Sequence, residues 1–141
     1  MRKLLVPFDG SEASVRALDY AQRMLGLYKE GAEIHLLNVQ ATLPGDVAMF
    51  VGGETVRKYH RDEGAKVLAP ARAQLDADKV PYVAHVSVGD PGEVIARYAK
   101  ENSCDEICMG TRGLGRVAGM LLGSVTTKVI HLSPVPVLLV K

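Results

Sequence analysis

The stretch that decides the fold lies near the C-terminus and reads DEICMGTRGLGRVAGMLLGSVTTKVIHL, residues 105–132. Its first part, Asp105 to Met109, ends in three apolar residues and predicts a short strand. Glycines then recur from Gly110 to Gly123, and the residues from Ser124 to about Leu132 predict a helix. A strand that passes through a glycine-rich loop into a helix is typical of α/β proteins with a parallel sheet.

Strands and helices alternate from this stretch towards both ends of the chain. The predicted strands are Lys3 to Phe8, Glu33 to Val39, Tyr82 to Val88, Asp105 to Met109 and Val137 to Val140. The predicted helices are one capped by Ser11 and stopped by Gly31, one from about Thr55 to Asp78, one capped by Asp90 and ending near Glu101, and the one beginning at Ser124. Five strands and four helices predict a doubly wound parallel sheet with helices on both faces, which binds ligands where the strand order reverses.

The middle of the chain contains the longest predicted loop and the longest predicted helix. Gln40 to Glu54 holds one proline and three glycines and is interpreted as a long loop of functional importance. The helix that follows is expected to be kinked at Gly64 and Pro70. Its predicted apolar stripe consists of Val56, Tyr59, Val67, Leu68, Ala71 and Leu75.

Length and composition indicate one globular domain over residues 1–141. The chain is 48% hydrophobic and 23% charged, as in ordinary globular proteins. Its formal net charge of +1 gives no overall field that would favour nucleic acid or an anionic membrane. The apolar run from Leu4 to Phe8 is too short for a signal peptide or a membrane span, so a cytoplasmic location and no membrane insertion are expected.

The cysteines and histidines form no recognisable reactive or metal-binding pattern. Cys104 and Cys108 lie four residues apart in a segment that is interpreted as extended, which places them on one face and too far apart for a disulfide, so they are interpreted as buried reduced thiols. The histidines fall on different elements without a shared spacing, which favours solvated or hydrogen-bonded structural roles. They are His35, His60, His85 and His131.

The glycine-rich loop has the chemistry of an anion site. Glycine lets backbone N–H groups approach an anion, and a helix that begins at Ser124 adds its positive dipole end. The hydroxyls of Ser124, Thr126 and Thr127 add donors, and Arg112 and Arg116 add positive charge. The alternative interpretation is a tight turn between strand and helix with no ligand.

Two familiar phosphate-binding motifs fit poorly. The sequence contains no G-x-x-x-x-G-K-[ST], so a P-loop kinase or GTPase is not indicated. Gly113 to Ala118 matches G-x-G-x-x-A, but that dinucleotide motif calls for an acidic residue at the end of the next strand. The chain has Lys141 there, which argues against NAD.

A more demanding pattern, Gly110-x2-Gly113-x9-Gly123-Ser124, resembles the ATP-binding signature of the universal stress protein family. The resemblance extends over essentially the whole chain, through LLVPFDGSEAS, HLLNV, VGDPGEVI, DEICMGTRG and SPVPVLLVK. It implies an adenine nucleotide alpha hydrolase-like fold with strand order 3-2-1-4-5, in which the first and fourth strands are neighbours. It also implies ATP as the ligand, with a divalent metal, Mg or Mn, bridging phosphate oxygens.

The resemblance assigns roles to residues at the strand ends and in the loop. Pro7 and Asp9 are expected beside the adenine and ribose, Val39 in the adenine pocket, and Gly110 at the ribose. Met109 and Arg112 are also expected to contact the nucleotide. The phosphates are expected at Gly113, Gly123, Ser124, Val125 and Thr126. Two of these residues have plainer alternatives, since Asp9 can cap the first helix and Val39 can pack in the core.

Three functions are compatible with these residues. The leading hypothesis is an ATP-dependent sensor or regulator without catalytic residues, with slow or no hydrolysis, because the loop shows no acidic residue between Gly110 and Lys141. An ATP-hydrolysing or pyrophosphatase-type enzyme is the second, since Asp9 to Ser14 distantly resembles the S-G-G-x-D-S loop of ATP pyrophosphatases. A nucleotide-free dimeric interaction module is the third. A response-regulator receiver is not favoured, because Val88 and Gly89 stand where the acceptor aspartate belongs.

The apolar segment Val135 to Val140 is expected at a sheet edge, where unpaired backbone invites another chain. A homodimer through this segment is predicted, and the resemblance implies the same. Edge protection by Pro136 and Lys141 in a monomer is the alternative. An unidentified regulatory protein is the other expected partner, and nucleic acid is not expected.

Overall fold

The computed structural model describes residues 1–112 and 122–141 and contains a five-stranded parallel sheet. Its strands are β1 (Arg2–Pro7), β2 (Ala32–Gln40), β3 (Tyr82–Val88), β4 (Glu106–Gly110) and β5 (Val137–Val140). Their order is β3-β2-β1-β4-β5, and every neighbouring pair is parallel. The predicted doubly wound fold and its strand order are confirmed.

The described residues form five α-helices, one more than the sequence predicted. They are α1 (Glu12–Met24), α2 (Gly45–Val51), α3 (Gly53–Ala77), α4 (Pro91–Glu101) and α5 (Ser124–Leu132), and a short 3-10 helix, Leu25–Leu27, follows α1. The prediction of an unstructured loop over Gln40 to Glu54 is therefore wrong. Pro44 begins α2 by accepting the N–H of Ala48, and Gly52, at φ 79°, ends it by donating to the carbonyl of Ala48.

Two hydrophobic cores cover the two faces of the sheet. Leu4 and Val6 of β1 point into a core shared with α1 and α3, whereas Leu5 points into the core on the side of α4 and α5. All three side chains are fully buried. Burial on both faces explains why the central strands are almost continuously apolar.

The two cysteines lie in different cores, which corrects the prediction that they share one face. β4 begins only at Glu106, so Cys104 precedes the strand and packs on the α4 side. Cys108 lies within the strand and packs on the α1 side. Both are buried free thiols, as predicted.

The inner face of α3 differs from the predicted stripe. Its buried residues are His60, Gly64, Leu68, Ala71 and Leu75. Tyr59 is 47% exposed and lies outside this stripe. A methyl group added to Gly64 would lie 2.5 Å from both methyl carbons of Val86, so glycine is what allows α3 to pack onto β3. The helix runs through Gly64 and Pro70 without a break.

No helix among the described residues is both long enough and apolar enough to cross a membrane.

Candidate functional site

A cleft opens at the carboxyl ends of β1, β2 and β4, where the order of the parallel strands reverses. Most of the residues predicted for the site line this cleft, namely Pro7, Asp9, Val39, Met109, Gly110, Arg112, Val125 and Thr126. Gly123 and Ser124 begin α5 but do not line the cleft, and Gly113 and Arg116 lie outside the described residues. The strand-end residues and the residues of the first turn of α5 are thus brought to one place.

Gly110 allows β4 to approach α1 closely at the base of the cleft. A Cβ atom at this position would lie 2.6 Å from the Cβ of Ala13 and 2.9 Å from its backbone carbonyl. The Gly110 carbonyl oxygen accepts a 3.0 Å hydrogen bond from the hydroxyl of Thr126, which is only 2% exposed. Because that hydroxyl hydrogen is already used, Thr126 offers a ligand its backbone N–H rather than its side chain.

A buried amide fixes the ends of β1 and β2 relative to each other. Asn38 donates from Nδ2 to the carbonyl oxygen of Phe8 over 2.9 Å, and the N–H of Phe8 donates to Leu37 over 2.8 Å. Gln40 in turn donates to Oδ1 of Asn38. Phe8 and Leu37 line the cleft. Sequence reasoning missed Asn38, although a lone amide within the apolar run HLLNV was the signal for it.

The turn from β1 into α1 is held by local polar contacts. Oδ1 of Asp9 accepts the N–H of Ser11 over 2.9 Å, and Ser11 is the N-cap whose hydroxyl oxygen accepts the N–H of Ser14 over 3.2 Å. The alternative that Asp9 caps α1 is wrong, since Asp9 shapes the turn before the cap. Gly10 makes that turn possible with φ 83°. Ser11 and Ser14 also line the cleft and were not predicted to do so.

The described ends of the glycine-rich segment are hydrogen-bonded to each other. The N–H of Gly123 donates to the carbonyl oxygen of Thr111 over 2.7 Å, and the N–H of Thr111 donates to Val140 of β5 over 3.3 Å. The first backbone hydrogen bond inside α5 runs from Thr127 to Gly123. The N–H groups of Ser124, Val125 and Thr126 therefore have no acceptor within the helix or elsewhere among the described residues. N–H groups at a helix N-terminus suit an anion.

The described lining of the cleft combines an apolar surface with one cation. Pro7, Leu37, Val39, Ile95 and Met109 provide apolar lining, and Val39 also packs against the core on the α4 side. Among the described lining residues, Arg112 is the only cation and Asp9 the only carboxylate. Such a surface suits a flat apolar ring that carries negatively charged groups.

The N-terminus of α4 is joined to α5 beside the cleft. Nζ of Lys128 lies 2.9 Å from a carboxylate oxygen of Asp90 and 3.4 Å from one of Glu93. The hydrogen bond from Lys128 lowers the pKa of Asp90, helped by the N–H of Glu93, and the hydrogen bond to Asp90 raises the pKa of Lys128. Asp90 is the N-cap of α4, as predicted, and the next residue, Pro91, lines the cleft.

Residues 1–112 and 122–141 contain no group of three or more histidine, cysteine, aspartate or glutamate side chains that could hold a metal ion. Among the described lining residues of the cleft, Asp9 supplies the one carboxylate. The residues present therefore fit a metal only if phosphate oxygens of the ligand supply most of its coordination.

The predicted structural role of the histidines is confirmed for His35 but not for His60. His35 is hydrogen-bonded to the hydroxyl of Tyr98 at 2.9 Å and to Glu33 at 3.1 Å. His60 is 4% exposed, and its Nδ1 has no hydrogen-bond partner within residues 1–112 and 122–141. It is neither solvated nor satisfied at that atom.

Comparison with known proteins agrees with this architecture. The chain matches the Universal stress protein family over residues 1–141. It is 33% identical to the universal stress protein YxiE of Bacillus subtilis, over 99% of this chain and 98% of that protein. Its fold is similar to the solved structure of MJ0577 of Methanocaldococcus jannaschii, with a TM-score of 0.86 and 29% identity over 99% of this chain and 95% of that one.

A universal stress protein solved in complex with cAMP is also similar. Its TM-score is 0.67 and its identity 27%, over 99% of this chain and 95% of that one. The match to the family model covers every residue, and the strand order and cleft described above accompany it. The chain therefore belongs to the universal stress protein family.

Proposed function

We propose that the cleft binds ATP and that the protein acts in the cytoplasm as a nucleotide-dependent sensor or regulator, with slow or no hydrolysis. The observation that carries this proposal is the meeting, at one cleft, of apolar strand ends, Arg112 and the first-turn N–H groups of α5, which have no acceptor among the described residues. A similar family member binds cAMP, which supports an adenine nucleotide as the ligand class.

Each part of the nucleotide has a matching surface. Pro7, Val39 and Met109 offer apolar contact to the adenine, and Asp9 and Gly110 lie where the strand ends can meet the ribose. The phosphates are assigned to Arg112 and to the backbone N–H groups of Ser124, Val125 and Thr126, with Gly113 added from the sequence pattern. The N–H of Gly123 already donates to Thr111, so Gly123 would border the phosphates without donating to them. Mg or Mn would neutralise part of the phosphate charge when bound.

The described lining argues against fast hydrolysis. A hydrolase needs a group that removes a proton from the attacking water or orients that water. Asp9 is the only carboxylate in the described lining, and its Oδ1 already accepts the N–H of Ser11. No histidine is among those residues. ATP is thus expected to remain intact long enough to act as a signal.

The rim of the cleft is connected to the edge of the sheet. Thr111 bonds both to Gly123, at the start of α5, and to Val140, at the end of β5. We expect a ligand on the N–H groups of α5 to stiffen this link and the edge strand together. Pairing of Val135 to Val140 with a second copy would let the dimer, or a regulatory partner, respond to nucleotide.

Calorimetric titration of nucleotide-stripped protein with ATP and magnesium tests the proposal. Arg112→Gln should weaken ATP binding by about 10-fold or more, because it removes a charge-assisted contact to phosphate. Arg97→Gln, on α4 and outside the cleft lining, is the matched control and should leave Kd unchanged. Binding that is equally strong in the two variants would contradict the assignment of phosphates to this cleft.

A second pair of variants tests the adenine surface. Val39→Phe places a larger side chain into the apolar lining and should weaken binding of ATP and of adenosine alike. Val83→Phe makes the same change at a 44% exposed position of β3 and should have no effect.

Absence of any saturable binding by the parent protein would instead favour the nucleotide-free dimeric module, whose sedimentation would be independent of ATP. Rapid release of AMP and pyrophosphate would favour the enzyme.

A further inference from the structure

A second cavity, of about 650 Å³, lies between α2, the N-terminal half of α3 and the C-terminal half of β3. It shares no lining residue with the nucleotide cleft. Its volume falls in the range of small-molecule sites in proteins, roughly 300–1,000 Å³. The cavity is therefore large enough for a ligand of its own.

The cavity begins where the close contact between α3 and β3 ends. Gly64 packs directly on Val86, and one turn earlier the larger residues His60 and Arg61 line open space instead. Ala84, Val86 and Val88 contribute apolar lining from β3, and Ala48 of α2 contributes from another side. The result is a mainly apolar recess at the β3 edge of the sheet, next to α2, which was not predicted from the sequence.

Positive charge is concentrated on one wall. Arg57, His60 and Arg61 are spaced i, i+3 and i+4 on α3, and all three line the cavity, whereas none of its described lining residues is acidic. Neither arginine forms an ion pair within the part of the chain that the structure describes. Lys58 and Lys66, on the same helix, do pair with carboxylates. Two like charges at i, i+4 repel each other, and no carboxylate among the described lining residues compensates this repulsion.

The buried histidine supplies an independent observation. Nδ1 of His60 is the only buried side-chain nitrogen or oxygen among the described residues that has no hydrogen-bond partner. A buried polar atom without a partner destabilises a protein and is rare in native folds. His60 lines the cavity, but its Nδ1 is turned away from the open space, so a ligand would satisfy this atom only after the imidazole ring turns.

We propose that this cavity is a ligand site for an organic carboxylate with an aliphatic body. The apolar residues of β3 and α2 would hold the body. Arg57 and Arg61 would bind the carboxylate, whose planar pair of oxygens matches the guanidinium group. His60, once its ring turns towards the cavity, would donate a hydrogen bond from Nδ1 to the same ligand.

Titration with sodium octanoate, followed by calorimetry and by amide shifts in NMR spectra, tests the proposal. The parent protein should bind octanoate saturably in the millimolar range or better, with shifts in α2, α3 and β3. Octylammonium has the same chain with the opposite charge and should not bind. Inorganic phosphate should bind much more weakly, because it has no apolar body. Equal binding of octylammonium, or of phosphate, would overturn the proposal.

Variants separate this site from a non-specific apolar surface. Arg57→Gln combined with Arg61→Gln should weaken octanoate binding by about 10-fold or more, since two charge-assisted contacts are lost. Arg72→Gln combined with Arg97→Gln changes the net charge equally, lies outside the cavity lining and should leave binding unchanged. Indistinguishable affinities in the two double variants would refute the role of the cationic wall.

His60→Leu gives a second, independent test. The variant removes the unpartnered nitrogen and keeps an apolar side chain, so the free protein should resist urea at least as well as the parent. Octanoate should raise the resistance of this variant to urea less than it raises that of the parent. Saturating ATP should leave octanoate affinity unaltered, because the sites share no residue. Equal protection of both proteins by octanoate would rule out His60 as a ligand contact.

Discussion

The side chain of Thr126 is hydrogen-bonded to the main chain of Gly110. The hydroxyl oxygen lies 3.0 Å from the carbonyl oxygen, and the bond joins the first turn of α5 to the last residue of β4. Both residues line the cleft. This buried contact, together with the bond from Gly123 to Thr111, holds the helix N-terminus over the strand end.

Thr126→Val should destabilise the protein, because it leaves the buried Gly110 carbonyl without its partner while keeping the side-chain shape. The expected loss in free energy of unfolding is about 1–3 kcal/mol. Thr127→Val is the matched control. Its hydroxyl donates to Gly123 at the exposed side of the same helix, and its loss should change stability by no more than about 0.5 kcal/mol. Urea unfolding measures both, and equal losses would contradict a special role for Thr126.

Gly110→Ala should also be destabilising, by about 1–3 kcal/mol, because its Cβ would meet the side chain and the backbone of Ala13. The backbone of α1 cannot yield as a flexible side chain can. Gly26→Ala is the control, since nothing lies within 4 Å of a Cβ there and its φ is not positive. Its effect should stay within about 0.5 kcal/mol. A Gly110→Ala protein as stable as the Gly26→Ala protein would show that β4 and α1 can move apart without loss.

The central strands β1, β2 and β4 were predictable because they are buried on both faces and therefore stand out as apolar runs. α2 was not, because none of its residues is buried and no apolar periodicity marks it. The inner stripe of α3 was misplaced for a related reason. Its N-terminal positions, His60 and Gly64, are not apolar, and close packing on Val86 rather than hydrophobicity determines Gly64.

The cleft was predictable at its strand ends but not in its supporting contacts. Strand order places Asp9, Val39 and Gly110 together once the parallel topology is recognised. The hydrogen bonds from Asn38 to Phe8 and from the Thr126 hydroxyl to Gly110 join residues that are neighbours only in three dimensions. Hydrogen bonds between residues distant in sequence leave no spacing pattern from which they could be inferred.

The contact between Asp90 and Lys128 predicts how stability depends on pH. The pKa of Asp90 is lowered on folding, so its contribution is present above the ordinary value of 3.8 and is lost as pH falls through the lower folded value. The pKa of Lys128 is raised, so its contribution is present below 10.5 and is lost as pH rises through the higher folded value. Between these limits the stabilisation should be constant.

Asp90→Asn tests this dependence, because asparagine keeps the helix cap and removes the charge. The parent should be more stable than the variant at neutral pH, and the difference should shrink in acid and at strongly alkaline pH. Since Lys128 and Asp90 are 44% and 46% exposed, the difference should be small and should fall with added salt. A difference that does not vary with pH would mean that the cap, not the ion pair, accounts for it.

The two buried thiols should be nearly inert in the folded protein. Burial raises the pKa of Cys104 to about 11 and that of Cys108 to about 12, from an ordinary value of 9.0. A thiol whose pKa is about 2 higher than in the unfolded chain has a thiolate fraction about 100-fold lower, and limited access slows its reaction further. Iodoacetamide labelling at mildly alkaline pH should therefore be at least about 100-fold slower without urea than in denaturing urea.

The same pKa shifts predict that alkali destabilises the fold. Above pH 9.0 the thiols ionise in the unfolded chain but remain neutral in the folded protein, so the free energy of unfolding should fall as pH rises towards the folded values. A protein with both Cys104→Ala and Cys108→Ala should show a shallower fall between pH 9.0 and about 11. Tyr28, Tyr82 and Tyr98 also have raised pKa values, and their contribution should persist in that variant. Identical slopes in the two proteins would mean that the thiols ionise equally in the folded and unfolded chains, and rapid labelling of the folded protein would point the same way.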